Sequence, residues 1–504
     1  MALLLPSNSK QEWIPSEWVK QYDQMNEHSA WYSGDADQLI ATYSSSKTLS
    51  SVNGRFWGEN AAARDRRSVV HVPIAGDIAT FSADMLFSER PEILIPEAYK
   101  RDANKQLIAN KRATAADERL TDIIEKGDVI TRLLEAAETS AAMGGVYLKP
   151  TWDRELSSVP ILSIAQPDSA IPYFKYGFLA GVIFHRVITS DNNKVYRLLE
   201  NYRSDGWIES GLYVGDNNVI GNRVPLGYLE ETAAIEPFLN TRLEKLACRY
   251  VPNKRPHKRF RGTAVGMSDY QGSETLMDAL DLTMTSWIRD IRLGRARLHV
   301  GDGMLQRQDN VTYFDGGKEL YVELDVDPSM LGENGGINAT QFNIRVQEHN
   351  DTATKLIQQI LNNAGYAPQT FGLNLDGSIS TESHQIRERK TYITKQKKER
   401  FFKEALADVF QMMLMIDNYH LGNPTPFEFR PNITFADTLG HDIGSMANTI
   451  QTLSNARSAS VQTRVEMLHP DWSVEEVADE VARIREEEGM NVTDPLTIGG
   501  KEYV

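Results

Sequence analysis

Apolar positions in this chain recur mostly at helical spacing and change to strand-like alternation in one central region. Within 69–93, Ile74, Ile78, Phe81, Met85 and Leu86 return every three or four residues, with Pro73 ahead and Pro91 beyond. That pattern predicts an amphipathic helix over about 73–88. Leu120, Ile123, Ile124, Leu133, Leu134 and Ala137 predict a second over 115–143, stopped by Gly144 and Gly145. The longest stripe, Leu276, Leu280, Met284, Trp287 and Ile291, predicts a helix over 273–298. Further helices are expected over 346–363 and about 382–418, and the tail from 435 reads as mostly helical. Residues 12–66, rich in Trp, Ser and Asn, predict only short helices.

Between 146 and 235 the runs GVIFHRVI, KVYRLLENYR and WIESGLYVG are separated by the turn signals TSDNN and SDG. They predict an antiparallel meander. The stretch 299–345 loses helical character and carries DGG, ENGGIN and ELYVELDV, so a small β-rich unit is expected there. AGYAPQTFGLNLDGSIST reads as a loop between two helices. The fold class is therefore α+β, without internal repeats.

At 504 residues there is room for about three domains, and 41% hydrophobic with 24% charged residues fits packed cores. A single cysteine, Cys248, excludes a disulfide within the chain and a Cys-based zinc site. No run of about 18 apolar residues occurs, so no membrane partner is expected. The start, MALLLPSNSKQEWIP, lacks the charge and apolar length of a signal peptide. The product is expected to be cytosolic where it is made. A net charge of −15 opposes tight, general binding to nucleic acid, because such binding neutralises phosphates with Lys and Arg.

Catalytic signatures are missing. There is no phosphate-binding GxxxxGK[ST] loop, no GxGxxG, no GxSxG and no HExxH. Glu348, His349 and Asp351 come nearest to a metal cluster, yet on one helix they point in different directions. LNLDGS fails as a calcium loop, with Gly372 at the first ligand position and Ser383 at the twelfth. Asp325 and Asp327 read as solvated ends of a strand. No cofactor and no metal is expected.

Three charge features remain. Lys254, Arg255, Lys258, Arg259 and Arg261 crowd one short stretch. Arg289, Arg292, Arg295 and Arg297 gather at the end of the long helix, with Asp278 and Asp281 near its start. That order suits the helix dipole, or makes a positive collar facing DNA. Lys395, Lys397, Lys398, Arg400 and Lys403, interleaved with Glu399 and Glu404, read as a solvated face.

Taken in order, VPIAGDIATFSADMLFSERP, AAETSAAMGGVYLKP, YVPNKRP with GMSDYQGSETLMDALDLTMTSWIRDIRLGRARL, and ERKTYITKQKKERFFKEAL resemble the portal proteins of tailed phages, of the SPP1 type. The resemblance implies a ring of about twelve subunits around a DNA channel. It implies a wing over 1–271, a first stem helix over 272–297, a clip over 298–345 and a second stem helix over 346–363. A tunnel loop over 364–382, a returning wing helix over 383–432 and a crown over 433–504 complete it. The stretch before the first stem helix becomes the passage from wing to stem, where Pro252, Pro256, Gly262 and Gly266 shape the turn and Asp269 or Ser273 caps the helix. The basic knot there would meet a neighbouring subunit or DNA.

The resemblance also implies a tunnel-loop site on Gly372, Asn374, Asp376, Gly377, Ser378, Ser380 and Thr381. Arg289, Arg292 and Arg295 become channel-facing. Asp309, Tyr313, Asp315, Lys318 and Asp325 become clip contacts to terminase or connector. Implied partners are double-stranded DNA, the terminase large subunit, major capsid and scaffolding proteins and a head–tail connector, at a capsid vertex assembled in the host cytoplasm. No catalysis is implied. Two other readings stand: a metal-dependent nucleic-acid enzyme using Asp325, Asp327, Glu348 and His349, and a ring-forming head–tail adaptor.

Overall fold

The computed structural model describes residues 4–7, 9–45, 56–57, 69–99, 110–191, 193–294, 297–301, 321–324, 337–340, 344–373, 381–435, 450–456, 458–469 and 474–487. They belong to two compact units, one of 1–377 with 387–436 and one of 378–386 with 437–504.

The larger unit begins with α1 (Ser16–Ser33) and α2 (Ala36–Ser45). At 18 residues α1 is not the short helix expected there. Composition misleads because Tyr22, Met25, Ala30 and Trp31 form a buried face among polar residues. The predicted helix after Pro73 is α3 (Ile74–Phe87). The single helix expected over 115–143 is two, α4 (Lys111–Lys126) and α5 (Val129–Met143). Gly127 ends the first, and Asp128 takes a left-handed backbone with φ 48°. The break keeps both apolar faces on one core, where Leu120, Ile123, Leu133 and Ala137 meet.

The predicted meander is the centre of an antiparallel sheet. Its path is β4 (Ala170–Lys175), β5 (Phe178–Asp191), β6 (Lys194–Arg203), β7 (Trp207–Gly215) and β8 (Asn222–Val224), with β9 (Phe238–Asn240) also on β7. Strand periodicity sorts the side chains by face. Val182 and Phe184 enter the large core, while Ile183 between them packs with Leu5, Ile171 and Tyr213 on the other face. A second sheet orders β10 (Arg249–Pro252), β2 (Gly145–Thr151) and β3 (Ile161–Ala165). Where α5 gives way to β2, Gly144 has φ +90°, and a Cβ there would lie 2.8 Å from the Gly266 carbonyl oxygen. Only glycine fits that approach. A short β1 (Glu92–Leu94) pairs with β14 (Asn432–Thr434).

Two helices then pack side by side and antiparallel: α6 (Glu274–Leu293) and α7 (Val346–Ala364). Asp290 near the end of α6 meets Arg345 and His349 at the start of α7. Between them lies the expected β-rich unit, whose described strands are β11 (Arg297–Gly301), β12 (Tyr321–Leu324) and β13 (Ile337–Thr340). β11 runs parallel to β12 and antiparallel to β13. α8 (Thr381–Ile416) sends Phe402, Leu406, Phe410 and Met413 into the large core. In the smaller unit, α9 (Val461–Leu468) and α10 (Val474–Glu487) join through Val465, Val477 and Val481. No described helix is long and apolar enough to cross a membrane.

Candidate nucleic-acid interface and its anchorage

Of the seven tunnel-loop residues, the structure describes Gly372 and the backbone of Thr381, which opens α8. Asn374, Asp376, Gly377, Ser378 and Ser380 lie outside the described residues. So do Arg295 and the clip residues Asp309, Tyr313, Asp315, Lys318 and Asp325, with Asp327 of the enzyme reading. Arg289 and Arg292 stand exposed on the last turns of α6.

The described part of the loop is fastened to the body. Tyr366, Ala367 and Pro368 are buried. The Phe81 ring lies 5.4 Å from Tyr366 and 4.5 Å from Phe371. Ala367 donates its backbone N–H to Thr391 Oγ1 at 2.8 Å, and Thr394 Oγ1 donates to the Gly365 carbonyl at 2.7 Å. Gly372, exposed with φ +76°, turns the chain after the 3-10 turn Pro368–Phe371. The loop is thus a fixed segment up to about 371 and offers its first exposed glycine at 372.

Under that segment sits a buried ionic knot that sequence reasoning missed. Asp269 is fully enclosed, with Lys398 Nζ at 2.5 Å, Lys254 Nζ at 2.9 Å, Asn253 Nδ2 at 2.8 Å and the Tyr366 hydroxyl at 2.7 Å. Lys398 also donates to Ser82 Oγ on α3, and Lys254 to the carbonyl of Ala364. Burial alone would raise the Asp269 carboxyl, but Lys254 and Lys398 outweigh it and hold the group well below the usual carboxylate range. Burial draws the Lys398 ammonium down to about 8 against the pull of Asp269. One carboxylate therefore ties α3, the entry to α6, the exit of α7 and α8 together.

Several expectations change here. Lys395 and Lys398 belong to no solvated face: both are buried, while Lys397, Arg400 and Lys403 are exposed. Spacing of three puts Lys395 and Lys398 on the inward side, where carboxylates replace water. Asp269 caps nothing, and Ser273 sits at the N-cap of α6 without a side-chain capping bond. The basic knot divides: Lys254 pairs inside its own chain, while Arg255, Lys258, Arg259 and Arg261 face solvent.

Asp278 and Asp281 do more than face a helix dipole. Asp278 accepts from the backbone of Phe56 and Trp57 at 2.9 and 3.3 Å. Asp281 accepts from Val72 N at 2.8 Å and Trp57 Nε1 at 3.1 Å. These carboxylates clamp N-terminal segments onto α6.

Toward the other end of α6, Trp287 lies parallel to His349, 6.0 Å apart, and is only partly covered. Its Nε1 is buried without a hydrogen-bond partner among the described residues. Asp290 faces His349 at 3.0 Å and Arg345 at 2.9 Å, whose hydrogen bonds lower its carboxyl from the ordinary value. Leu282, Ile291, Leu293, Ile344 and Val346 are exposed, so the predicted stripe is buried at Leu280 and open at Ile291. Asp351 accepts from Gln347 rather than joining His349. Among the described residues no three His, Cys, Asp or Glu gather as metal ligands.

Comparison with known proteins adds one family. The model described as Phage portal protein, SPP1 Gp6-like, matches residues 11–494. No curated protein matches the chain. Among solved structures, a chain in the virion of a native gene transfer agent particle is 9% identical with TM-score 0.37, covering 92% of this chain and 96% of that one. A chain in the neck of an empty particle of this kind, computed with C6 symmetry, is 11% identical with TM-score 0.41, covering 84% and 98%.

Proposed function

The chain belongs to the SPP1 Gp6-like phage portal protein family, and from that premise we propose that it forms the ring at one capsid vertex through which double-stranded DNA is packaged and ejected. The observation that carries this reading is the family match over 11–494, nearly the whole chain. In this reading the 1–271 region with the returning helix is the wing, α6 and α7 are the stem, β11–β13 belong to the clip and the helices after 433 to the crown. Terminase docks on the clip during packaging and the head–tail connector afterwards, and the ring itself performs no catalysis. About twelve copies at −15 each give a ring near −180, like-charged to DNA. A ring of that net charge does not hold a polyanion through counterion release, as a strongly cationic one would.

The uncovered apolar side chains of α6 and α7 support this assignment, because neighbouring copies would cover them in a closed ring. Electron microscopy of the purified protein tests it. Rings with a central hole are expected. A monodisperse monomer at every salt and protein concentration overturns it, and magnesium-dependent nuclease activity of the purified ring revives the enzyme reading. The loop carries its own test: deleting 374–380 keeps rings intact while impairing DNA packaging or retention.

A further inference from the structure

A cleft of about 440 Å³ opens between the β4–β5 turn and α8, floored by Tyr250 and Pro252. Arg255 and Arg400 line it with Glu404 and Asp408; the two carboxylates pair with Arg430, whereas both arginines are exposed and neither has a carboxylate partner among the described residues. Arg255 lies over the Tyr250 ring at 5.9 Å. The other cation of the cleft, Arg249, is already matched, by Asp408. At the rim, Phe178 is 78% exposed and Tyr176 is 90% exposed. Arginine beside aromatic rings is the composition of a binding hot spot rather than of an ordinary solvated face. The volume encloses a few side chains and no duplex.

The complementary surface lies at the other edge of the same sheet. β4 is one edge strand of the six-stranded sheet and β8 the opposite one. Between β8 and β9 the chain exposes Glu230, Glu231 and Glu236, none with an ion-pair partner among the described residues, and Phe238 follows at 56% exposed. The cleft beside the β4–β5 turn therefore offers unpaired guanidinium groups, from α8 and from the segment after β10, with open aromatic rings, and the far edge of the sheet offers unpaired carboxylates and an aromatic side chain. Two different, mutually complementary patches on one chain make a heterologous contact, the kind that closes into a ring. Arginine–carboxylate pairing supplies direction as well as attraction. Each charge is solvated on its own, and a second copy, always present in equal amount, carries the matching set.

We propose that the Arg255–Arg400 cleft receives the acidic 230–238 segment of a second copy of this chain, joining opposite edges of the six-stranded sheet head to tail. The contact rests on the ring reading and adds to it the patches by which neighbours recognise each other.

Charge reversal tests it. R400E, and separately E230K with E231K, should each raise the protein concentration for half-assembly about tenfold or more, and the combined variant should recover most of it. Arg400, Glu230 and Glu231 are exposed, and unchanged circular-dichroism melting of each variant excludes misfolding. In a second arm, F178C with E231C should give a ladder of oxidatively linked subunits, since the one native thiol, Cys248, is buried. Rings that carry both cysteines without a ladder, or R400E rings assembling at the wild-type concentration, overturn the cleft contact and leave the ring standing. An F178C thiol that alkylates in intact rings as fast as in monomers shows the cleft open in the ring and also overturns the contact. Wild-type protein that never forms rings defeats the ring reading and takes the contact with it.

Discussion

Asp269 and Asp290 each face two basic groups, one carboxylate at either end of the α6–α7 pair. Asp269 is sealed from solvent, held by two ammonium groups, an amide and a phenol. Asp290 meets an Arg345 that stands 65% exposed. The same charge pairing therefore has opposite weight at the two ends. A buried ion cannot fall back on water when a partner is lost, whereas a surface pair exchanges one solvated arrangement for another. The inner end is fixed within the chain itself, and the outer end stands open to water.

Breaking the inner end gives the largest effect. Asp269→Ala strands Lys398, which is buried, and should cost about 3–5 kcal/mol in urea unfolding. Asp269→Asn should cost less, because it keeps the shape and some of the hydrogen bonds. Lys398→Met should also cost less, since Lys254 still pairs with Asp269. A loss in Asp269→Ala no greater than in an exposed-carboxylate variant would show that the knot does not hold α6, α7 and α8 together.

Acid sharpens the same contrast. The Asp269 carboxyl is depressed in the folded chain, so the unfolded chain takes up protons first as pH falls. Its stabilisation is complete above the unfolded carboxylate value near 4 and is lost as pH drops below it. Wild-type stability should therefore decline below about pH 4 more steeply than that of Asp269→Asn. Parallel acid limbs for the two proteins would remove Asp269 from the account.

The inner end was hidden from the sequence for a physical reason. Its partners sit at 82, 253, 254, 269, 366 and 398, on segments joined only by the fold, and no spacing rule links them. Lys398 reads as solvated because its neighbours alternate in sign, while burial is decided by what packs opposite. The α6 helix was legible because the stripe from Leu276 to Ile291 is long and local periodicity suffices for it. The break at Gly127–Asp128 is visible only as a change of phase: along one continuous helix Leu120, Ile123 and Ile124 would face the side opposite to Val129, Leu133 and Ala136, and apolar spacing read in each half alone passes over it. At the candidate loop, the absence of Lys and Arg was visible, but the anchoring of Tyr366 and Phe371 by Phe81 was not, since aromatic contacts at that separation leave no local pattern.

Trp287 lies between the two extremes and reports on assembly. It is partly covered in the single chain, by His349 on one side. Trp287→Ala should cost about 1–2 kcal/mol in dilute monomer, in keeping with partial burial. It should cost about 3–5 kcal/mol in the assembled ring, where a neighbour would complete its surroundings. Equal losses in the two states would mean that the ring covers a different face of α6.

The smallest effect is expected at the outer end. Asp290→Asn removes the charge that faces His349 and Arg345, but water reaches both the carboxylate and the guanidinium. Such pairs are screened by salt, and holding two side chains in one geometry offsets much of their attraction. In monomer the urea midpoint of Asp290→Asn should match wild type within reproducibility, and raising the salt concentration should leave the pair of curves superposed. The informative measurement is the same comparison in the ring. If assembly buries this end of the helices as it buries Trp287, the charge loses its water and the substitution becomes costly only there. A midpoint that moves in the ring and not in the monomer would place Asp290 under a neighbouring subunit. One that moves in neither state would leave it at the solvent boundary of the assembled particle.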